Sequence, residues 1–119
     1  MTLDDIKKLI ANHESTCVEF KQSMAELDKL GKAICGFLNT QGGIGLIGIT
    51  NQGKCIGIEV TESTKNKLST FCNHFEPWPE LTIDYIPMET SNRQIIAITA
   101  TPRNDTMPFV YRHTPYLRN

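Results

Sequence analysis

The fold is decided by two neighbouring segments, ESTCVEFK at residues 14–21 and AICGFLNTQGGIGLIGITNQGKCIG at residues 33–57. In the first, apolar residues alternate with Glu19 and Lys21, which predicts a strand over residues 16–21 with one apolar and one charged face. The second begins with apolar residues at helical spacing and continues as two apolar runs around an Asn-Gln-Gly turn. This change of period predicts a helix followed by a Gly-rich β-hairpin.

Outward from these segments, the pattern predicts further helices and strands. Thr2 can cap the first helix, with Asp5 three residues on in a capping-box position. Helices are predicted over residues 3–12, 24–38 and 62–75, and strands over residues 16–21, 44–49, 54–58, 81–86, 94–100, 109–111 and 116–118. This order predicts a single α+β domain over residues 1–119, in which one mixed, largely antiparallel sheet with the Gly-rich hairpin packs against two to three helices.

The composition indicates a cytoplasmic protein without a membrane segment. No apolar run approaches the roughly 18 residues that a membrane span needs, and the acidic first residues do not resemble a secretion signal. The cysteines are widely spaced, which predicts reduced, mostly buried thiols and argues against a zinc site. They are Cys17, Cys35, Cys55 and Cys72.

Charge is distributed unevenly along the chain. The first 90 residues carry eight lysines and twelve acidic residues, whereas the last 29 carry all four arginines and one aspartate. Arginine is suited to forked contacts with phosphate, so this end, with Arg112 and Arg118, is a candidate surface for nucleic acid. An ordinary solvated face is the alternative.

Glycines are concentrated beside the predicted hairpin. Six of the eight glycines lie within residues 42–57, a density that is typical of bulges, sharp bends or close backbone contacts. Their spacing is neither that of a Walker loop nor that of a dinucleotide-binding turn. At Gly42 and Gly43, backbone N–H groups can bind a phosphate, and the alternative is a role in turns and helix packing.

Carboxylates near the predicted first strand form a candidate metal site. Glu14 and Glu19 are five residues apart, and Lys21 shares a strand face with Glu19. Two or three carboxylates and a lysine are the groups that a metal-dependent phosphodiesterase needs to hold Mg²⁺ or Mn²⁺ and to offset charge on a phosphate. The alternative is a surface Glu–Lys pair.

The order and spacing of ESTCVEFK, FLNTQGG and GITNQGKCIGI resemble the Schlafen and Alba-type DNA-binding domains, in particular the single-copy domains of bacterial regulators. The resemblance extends from about residue 14 to residue 118. In Schlafen ribonucleases the first motif supplies two catalytic glutamates, which correspond to Glu14 and Glu19. The third acid of that family is replaced by Asn51, which has no negative charge.

The resemblance therefore implies a nucleic-acid-binding module more than a nuclease. We expect it to act as a homodimer and to contact the phosphates of DNA or RNA. The expected contact residues are Lys21, Gly42, Gly43, Arg112 and Arg118. The alternative is a metal-dependent endoribonuclease that uses Glu14, Glu19 and Asn51, and a third possibility is a protein-interaction module with a degenerate site.

Trp78 is the remaining residue of interest. It lies between Pro77 and Pro79, and we expect it to fill the core beneath a loop. The alternative is an exposed platform on which a nucleic-acid base stacks.

Overall fold

The computed structural model describes residues 1–11, 17–103 and 108–117. Its helices are α1 (Leu3–Ala11), α2 (Leu27–Leu38) and α3 (Glu62–Cys72), and a 3₁₀ turn at Met24–Glu26 leads into α2. Its strands are β1 (Val18–Lys21), β2 (Gly43–Ile47), β3 (Phe75–Glu76), β4 (Glu80–Pro87), β5 (Gln94–Thr101), β6 (Val110–Tyr111) and β7 (Thr114–Pro115). The α+β class is confirmed.

The main sheet has four strands in the order β1-β2-β5-β4. The β1–β2 pair is parallel, and the β2–β5 and β5–β4 pairs are antiparallel, so the sheet is mixed and largely antiparallel as predicted. A second, small antiparallel sheet in the order β3-β6-β7 was not predicted. It carries the C-terminal part of the described chain.

Each face of the main sheet covers a separate hydrophobic cluster. Val18 and Phe20 point into the cluster that includes Ile6 of α1, and the opposite face packs against α2 and α3. Gly45 lies on that second face, because a Cβ added to it would be 2.8 Å from Leu30 of α2. The alternation predicted for β1 is confirmed.

The predicted β-hairpin is present only as a short turn, and residues 54–58 do not form the predicted second strand. A single antiparallel bridge between Ile49 and Cys55 closes the turn. Beyond it the chain bends at Gly57, whose φ is 68°. A Cβ on Gly48 would lie 2.9 Å from the Gly57 Cα, so the two backbones approach closely. This bend ends the pairing between the two arms of the turn, and β5 pairs with β2 in place of residues 54–58.

The helix ends follow their local capping chemistry. The capping box of α1 is confirmed, because the Thr2 N–H donates to Asp5 Oδ2 at 2.8 Å and the Asp5 N–H donates to Thr2 Oγ1 at 3.2 Å. The third helix was predicted to run to residue 75 but ends at Cys72. Phe75 instead pairs with Tyr111 in the small sheet.

Two other predictions are wrong. Trp78 does not fill the core, since 65% of its surface is exposed. The last strand within the described residues is β7 (Thr114–Pro115), and the described part of the predicted strand at residues 116–118 is not in a strand. Arg118 lies outside the described residues.

The cysteines are thiols, as predicted, and none of the four, which all lie in the described residues, is in a disulfide. Cys35 is buried and the other three are partly buried, and burial raises the pKa of the Cys35, Cys55 and Cys72 thiols. In the part of the chain that the structure describes, no helix is both long and apolar enough to cross a membrane.

Candidate functional site

The charged face of β1 carries a sheltered ion pair. Lys21 Nζ lies 3.0 Å from Glu19 Oε2, and their side chains are only 17% and 13% exposed. Glu19 is paired with Gly45 in the parallel ladder, so both charged side chains lie on the face covered by α2. Glu19 therefore offsets the charge of Lys21. Glu14, the other predicted acid, lies outside the described residues.

The predicted site residues lie at two ends of the β1–β2 pair. At one end, the Gly48 N–H donates to the Lys21 carbonyl at 2.8 Å, and the turn containing Asn51 follows. Gly42 and Gly43 lie at the other end, where β2 begins. Gly43 lies four residues along β2 from Ile47, the partner of Lys21, so about 13 Å separates these ends at 3.3 Å per residue. The structure therefore brings Lys21 near the turn of Asn51 but places the two glycines away from both.

Asn51 lies exposed in a well-defined turn. The turn is closed by hydrogen bonds in both directions between Thr50 and Lys54: the Thr50 N–H donates to the Lys54 carbonyl at 2.9 Å, and the Lys54 N–H donates to Thr50 Oγ1 at 3.0 Å. Residues 1–11, 17–103 and 108–117 contain no group of three or more His, Cys, Asp or Glu residues that could hold a metal ion. A metal site at Glu19 therefore needs a ligand from outside these ranges, such as Glu14.

Gly42 and Gly43 connect α2 to the sheet. The Gly42 N–H donates to the Phe37 carbonyl at 2.8 Å, and its φ of 83° is the left-handed conformation that commonly ends a helix. A Cβ on Gly43 would lie 2.7 Å from both the Cys17 carbonyl oxygen and the Phe37 ring. Both positions thus require glycine for packing, and the Gly42 N–H is already used within the fold.

Arg112 occupies an unusual backbone position. The β6–β7 connection is a two-residue turn, in which Arg112 and His113 have φ values of 48° and 69°. Such turns favour Asn and Gly, and larger residues adopt them at a cost of about 1–3 kcal/mol each. The Arg112 N–H donates to the His74 carbonyl at 2.9 Å, which holds the turn against the end of α3.

The Arg112 side chain takes part in a small polar network. Its Nε lies 3.1 Å from Asp28 Oδ1, its Nη2 lies 3.2 Å from His74 Nε2, and its guanidinium carbon is 5.8 Å from the centre of the Tyr111 ring. The Tyr111 hydroxyl donates to the same Asp28 oxygen at 2.9 Å. Burial raises the pKa of Tyr111 to about 12, so the phenol keeps its proton at neutral pH.

This network lines a cleft of about 520 Å³ between α2, α3 and the β6–β7 turn. Arg112 and Lys67 supply two positive charges, and Asp28 is the carboxylate of its lining. Hydroxyl and amide groups of α3 add hydrogen-bonding capacity. The other lining residues are Leu27, Ser63, Asn66, Thr70, Phe71, His74 and Tyr111. A cleft with this lining can bind an anionic group that also has an apolar part.

The cleft was not predicted from the sequence, although one signal was present. One polar face of α3 starts at Ser63 and continues with the residues three, four and seven positions later, which are Asn66, Lys67 and Thr70. Leu27, Asp28, Tyr111 and Arg112 come from segments far from α3 in the chain. Only the fold brings them to this face.

Comparisons with known proteins agree with the resemblance noted in the motifs. A profile of the protein family described as Schlafen, AlbA_2 matches residues 14–119. The solution NMR structure of the N-terminal domain of a RecG-related protein from Nitrosomonas europaea, described as an ATP-dependent DNA helicase relative, matches with a TM-score of 0.64 and 18% identity. The match covers 100% of this chain and 89% of that one, and at this identity it shows a shared fold. No curated protein matches the chain.

Proposed function

The chain belongs to the Schlafen, AlbA_2 family, and from this premise we propose that it is a nucleic-acid-binding domain that contacts the phosphate backbone of DNA or RNA. The likeness in fold to a domain of a protein described as related to a DNA helicase supports the proposal. The observation that carries it is the position of Arg112 at the rim of the cleft.

Arg112 is held in place but remains accessible. Its contacts with Asp28 and His74 orient the guanidinium, yet 57% of the side chain is exposed. An oriented guanidinium loses less conformational freedom on binding a phosphate than a freely moving one. Lys67 lines the same cleft and adds a second cation. Phosphate contacts of this kind bind without reading sequence.

The other expected contacts contribute to this proposal in different ways. Arg118 follows β7 and lies outside the described residues. Lys21 is paired with Glu19 at 3.0 Å, and only 17% of its side chain is exposed. Arg112 is also paired, with Asp28 at 3.1 Å, but 57% of its side chain is exposed, so a phosphate can reach it. Gly42 and Gly43 lie at the opposite end of β1 from Lys21. Of the expected residues, Arg112 therefore has the strongest support from its surroundings.

The experiment is a comparison of Arg112→Ala with Arg93→Ala. Arg93 is also exposed and lies outside the cleft lining, so the two variants remove the same charge from different places. Binding of labelled DNA and RNA, measured by fluorescence anisotropy between about 50 mM and 200 mM salt, should weaken for Arg112→Ala, with the log–log salt slope reduced by about one. Arg93→Ala should retain both affinity and slope.

Equal losses in the two variants would show only a general effect of charge and would contradict a role for the cleft. Absence of binding by the wild-type domain would contradict the proposal itself. Lys67→Ala provides a second variant in the cleft, because its loss should also weaken binding without a preference for sequence.

The proposal also includes the wider role that the resemblance implies, a regulatory module that works as a homodimer in the cytoplasm. Two copies would place two basic surfaces side by side, which would compensate for the few cations of one copy. Light scattering at high micromolar concentration tests the assembly. A monomer at that concentration would contradict the dimer and leave the phosphate contact of Arg112 in place.

A further inference from the structure

The exposed Trp78 has no role in the fold described above. It is the only tryptophan of the chain, and 65% of its surface is exposed. Among the described residues, only Met1 and Leu117 are other large apolar side chains with such exposure. A large aromatic ring is usually buried or placed at an interface, because its burial contributes strongly to stability or binding.

The backbone that displays Trp78 is held on both sides. Pro77 and Pro79 fix their own φ angles, and Pro79 is buried directly before β4. Arg103 Nη1 donates to the Trp78 carbonyl at 3.4 Å, and the guanidinium of Arg103 lies 5.0 Å from the centre of the Phe109 ring. These contacts hold the backbone that carries the exposed indole.

Trp78 and the cleft are connected by the small sheet. His74 lines the cleft beside Arg112, and β3 connects His74 to Trp78. Four residues span at most about 14 Å even when fully extended. The backbone of Trp78 therefore lies within about 14 Å of the His74 backbone, beside the cleft.

We propose that Trp78 stacks on an unpaired base of a single strand whose phosphate backbone is bound by Arg112. The proposal rests on the nucleic-acid binding proposed above and specifies its ligand as single-stranded nucleic acid. Every base offers a face for stacking on an indole, whereas the bases of a duplex are stacked on one another and cannot reach a flat surface ring. The positive charge of the cleft favours a polyanion over an apolar protein segment at this surface.

The test uses the intrinsic fluorescence of Trp78, which reports on one site because the chain has no other tryptophan. A thymidine oligonucleotide should quench this fluorescence, and a duplex of the same length should not do so at equal occupancy. Trp78→Leu should weaken single-strand binding by about five- to 100-fold and leave duplex binding unchanged. Trp78→Phe should retain most of the affinity because it keeps an aromatic face. Leu117→Ala, which also removes an exposed apolar side chain, is the matched control and should have no effect.

The outcomes separate this inference from the proposed function. If Arg112→Ala weakens binding but Trp78→Leu does not, the phosphate contact stands and the stacking is wrong. If Trp78→Leu weakens single-strand and duplex binding equally, or if Trp78→Phe is as weak as Trp78→Leu, the ring does not recognise an unpaired base. If the wild-type domain binds no nucleic acid, the proposed function fails and this inference fails with it. Unchanged unfolding temperatures of the variants would exclude a general loss of structure.

Discussion

The carboxamide of Asn39 is hydrogen-bonded to both backbone groups of Phe109. Its Oδ1 accepts from the Phe109 N–H at 2.7 Å, and its Nδ2 donates to the Phe109 carbonyl at 2.9 Å. The same Nδ2 donates to the Tyr116 carbonyl at 2.9 Å. Asn39 is the asparagine of the FLNTQGG motif, and it joins the end of α2 to the segments on either side of the β6–β7 turn. The residue therefore supports the position of Arg112 without touching it.

Replacement of Asn39 by alanine should destabilise the domain by about 2–4 kcal/mol, since three hydrogen bonds are lost and partly buried backbone groups are left without partners. Urea unfolding followed by circular dichroism measures this change. Asn92→Ala removes the same group from an exposed position and should change the free energy of unfolding by less than about 0.5 kcal/mol. Similar values for the two variants would contradict the role assigned to Asn39.

Local sequence was sufficient for most elements of this fold. The alternation in β1 and the capping box of α1 depend on near neighbours, and both were predicted. The second strand of the predicted hairpin does not form because β5 pairs with β2 in its place. Residues 54–58 have a strand-like pattern, but the local sequence does not show that β5 takes this position. The small sheet pairs Phe75 with Tyr111, and no local pattern indicates a pairing across such a distance in sequence.

The candidate site was less predictable than the fold. The charge of Arg112 predicts a phosphate contact, but its left-handed turn contradicts the preference of such turns for Asn and Gly. Its partners Asp28 and His74 come from elements that the sequence does not connect. The exposure of Trp78 and the contact of Arg103 with its carbonyl are visible only in the structure. Predictions from turn preference or from hydrophobicity are expected to fail most often at functional sites, where function competes with stability.

The buried Tyr111 hydroxyl makes the stability depend on pH. Burial raises its pKa to about 12 in the folded state, against about 10 in an unfolded chain. Because the folded value is the higher one, the contribution of this group is complete below about pH 10 and is lost as the pH rises through 12. The loss is below about 2 kcal/mol, because the hydroxyl borders the open cleft and solvent screens part of the effect. Ultraviolet absorbance of phenolate and circular dichroism, recorded together between these pH values, measure ionisation and unfolding.

Tyr111→Phe is the matching variant, because it keeps the ring and removes the ionisable hydroxyl. This variant should lose the hydrogen bond to Asp28 and be less stable at neutral pH, while its stability should fall less steeply above pH 10 than that of the wild type. If the free energy of unfolding falls equally above pH 10 in the wild type and in Tyr111→Phe, the pH dependence comes from other groups.

Gly31 permits the position of Tyr111. A Cβ added to Gly31 would overlap the ring carbon that carries the hydroxyl and would lie 2.7 Å from the hydroxyl oxygen itself. Gly31→Ala should therefore destabilise the domain by about 1–3 kcal/mol, although alanine is the better helix former. In a Tyr111→Ala background the same change should be neutral or stabilising, because the overlapping ring is absent. A double-mutant cycle of unfolding free energies measures this coupling, and additive effects would show that the two residues do not interact.

The last prediction concerns the missing third acid at Asn51. An amide oxygen brings no charge to a divalent cation, so the wild-type domain should bind Mg²⁺ or Mn²⁺ weakly and cleave RNA slowly or not at all. Asn51→Asp should raise metal affinity and any metal-dependent cleavage, since a further carboxylate offsets more of the dehydration of the cation. The same change should weaken binding of nucleic acid in the absence of metal, because it adds a negative charge.

Metal titration and cleavage of structured RNA would be measured on both proteins. Gln52→Glu adds a carboxylate to the neighbouring exposed position and should reproduce neither gain. Glu19→Gln should abolish any gain in Asn51→Asp, because it removes the other acid while releasing Lys21 from its ion pair. Robust, Glu19-dependent cleavage of RNA by the wild type would contradict this prediction and would favour the nuclease over the non-catalytic binding domain. The domain would then be a nuclease in which Asn51 supplies a neutral ligand, and the Glu19–Lys21 pair at 3.0 Å would have to open when the metal binds.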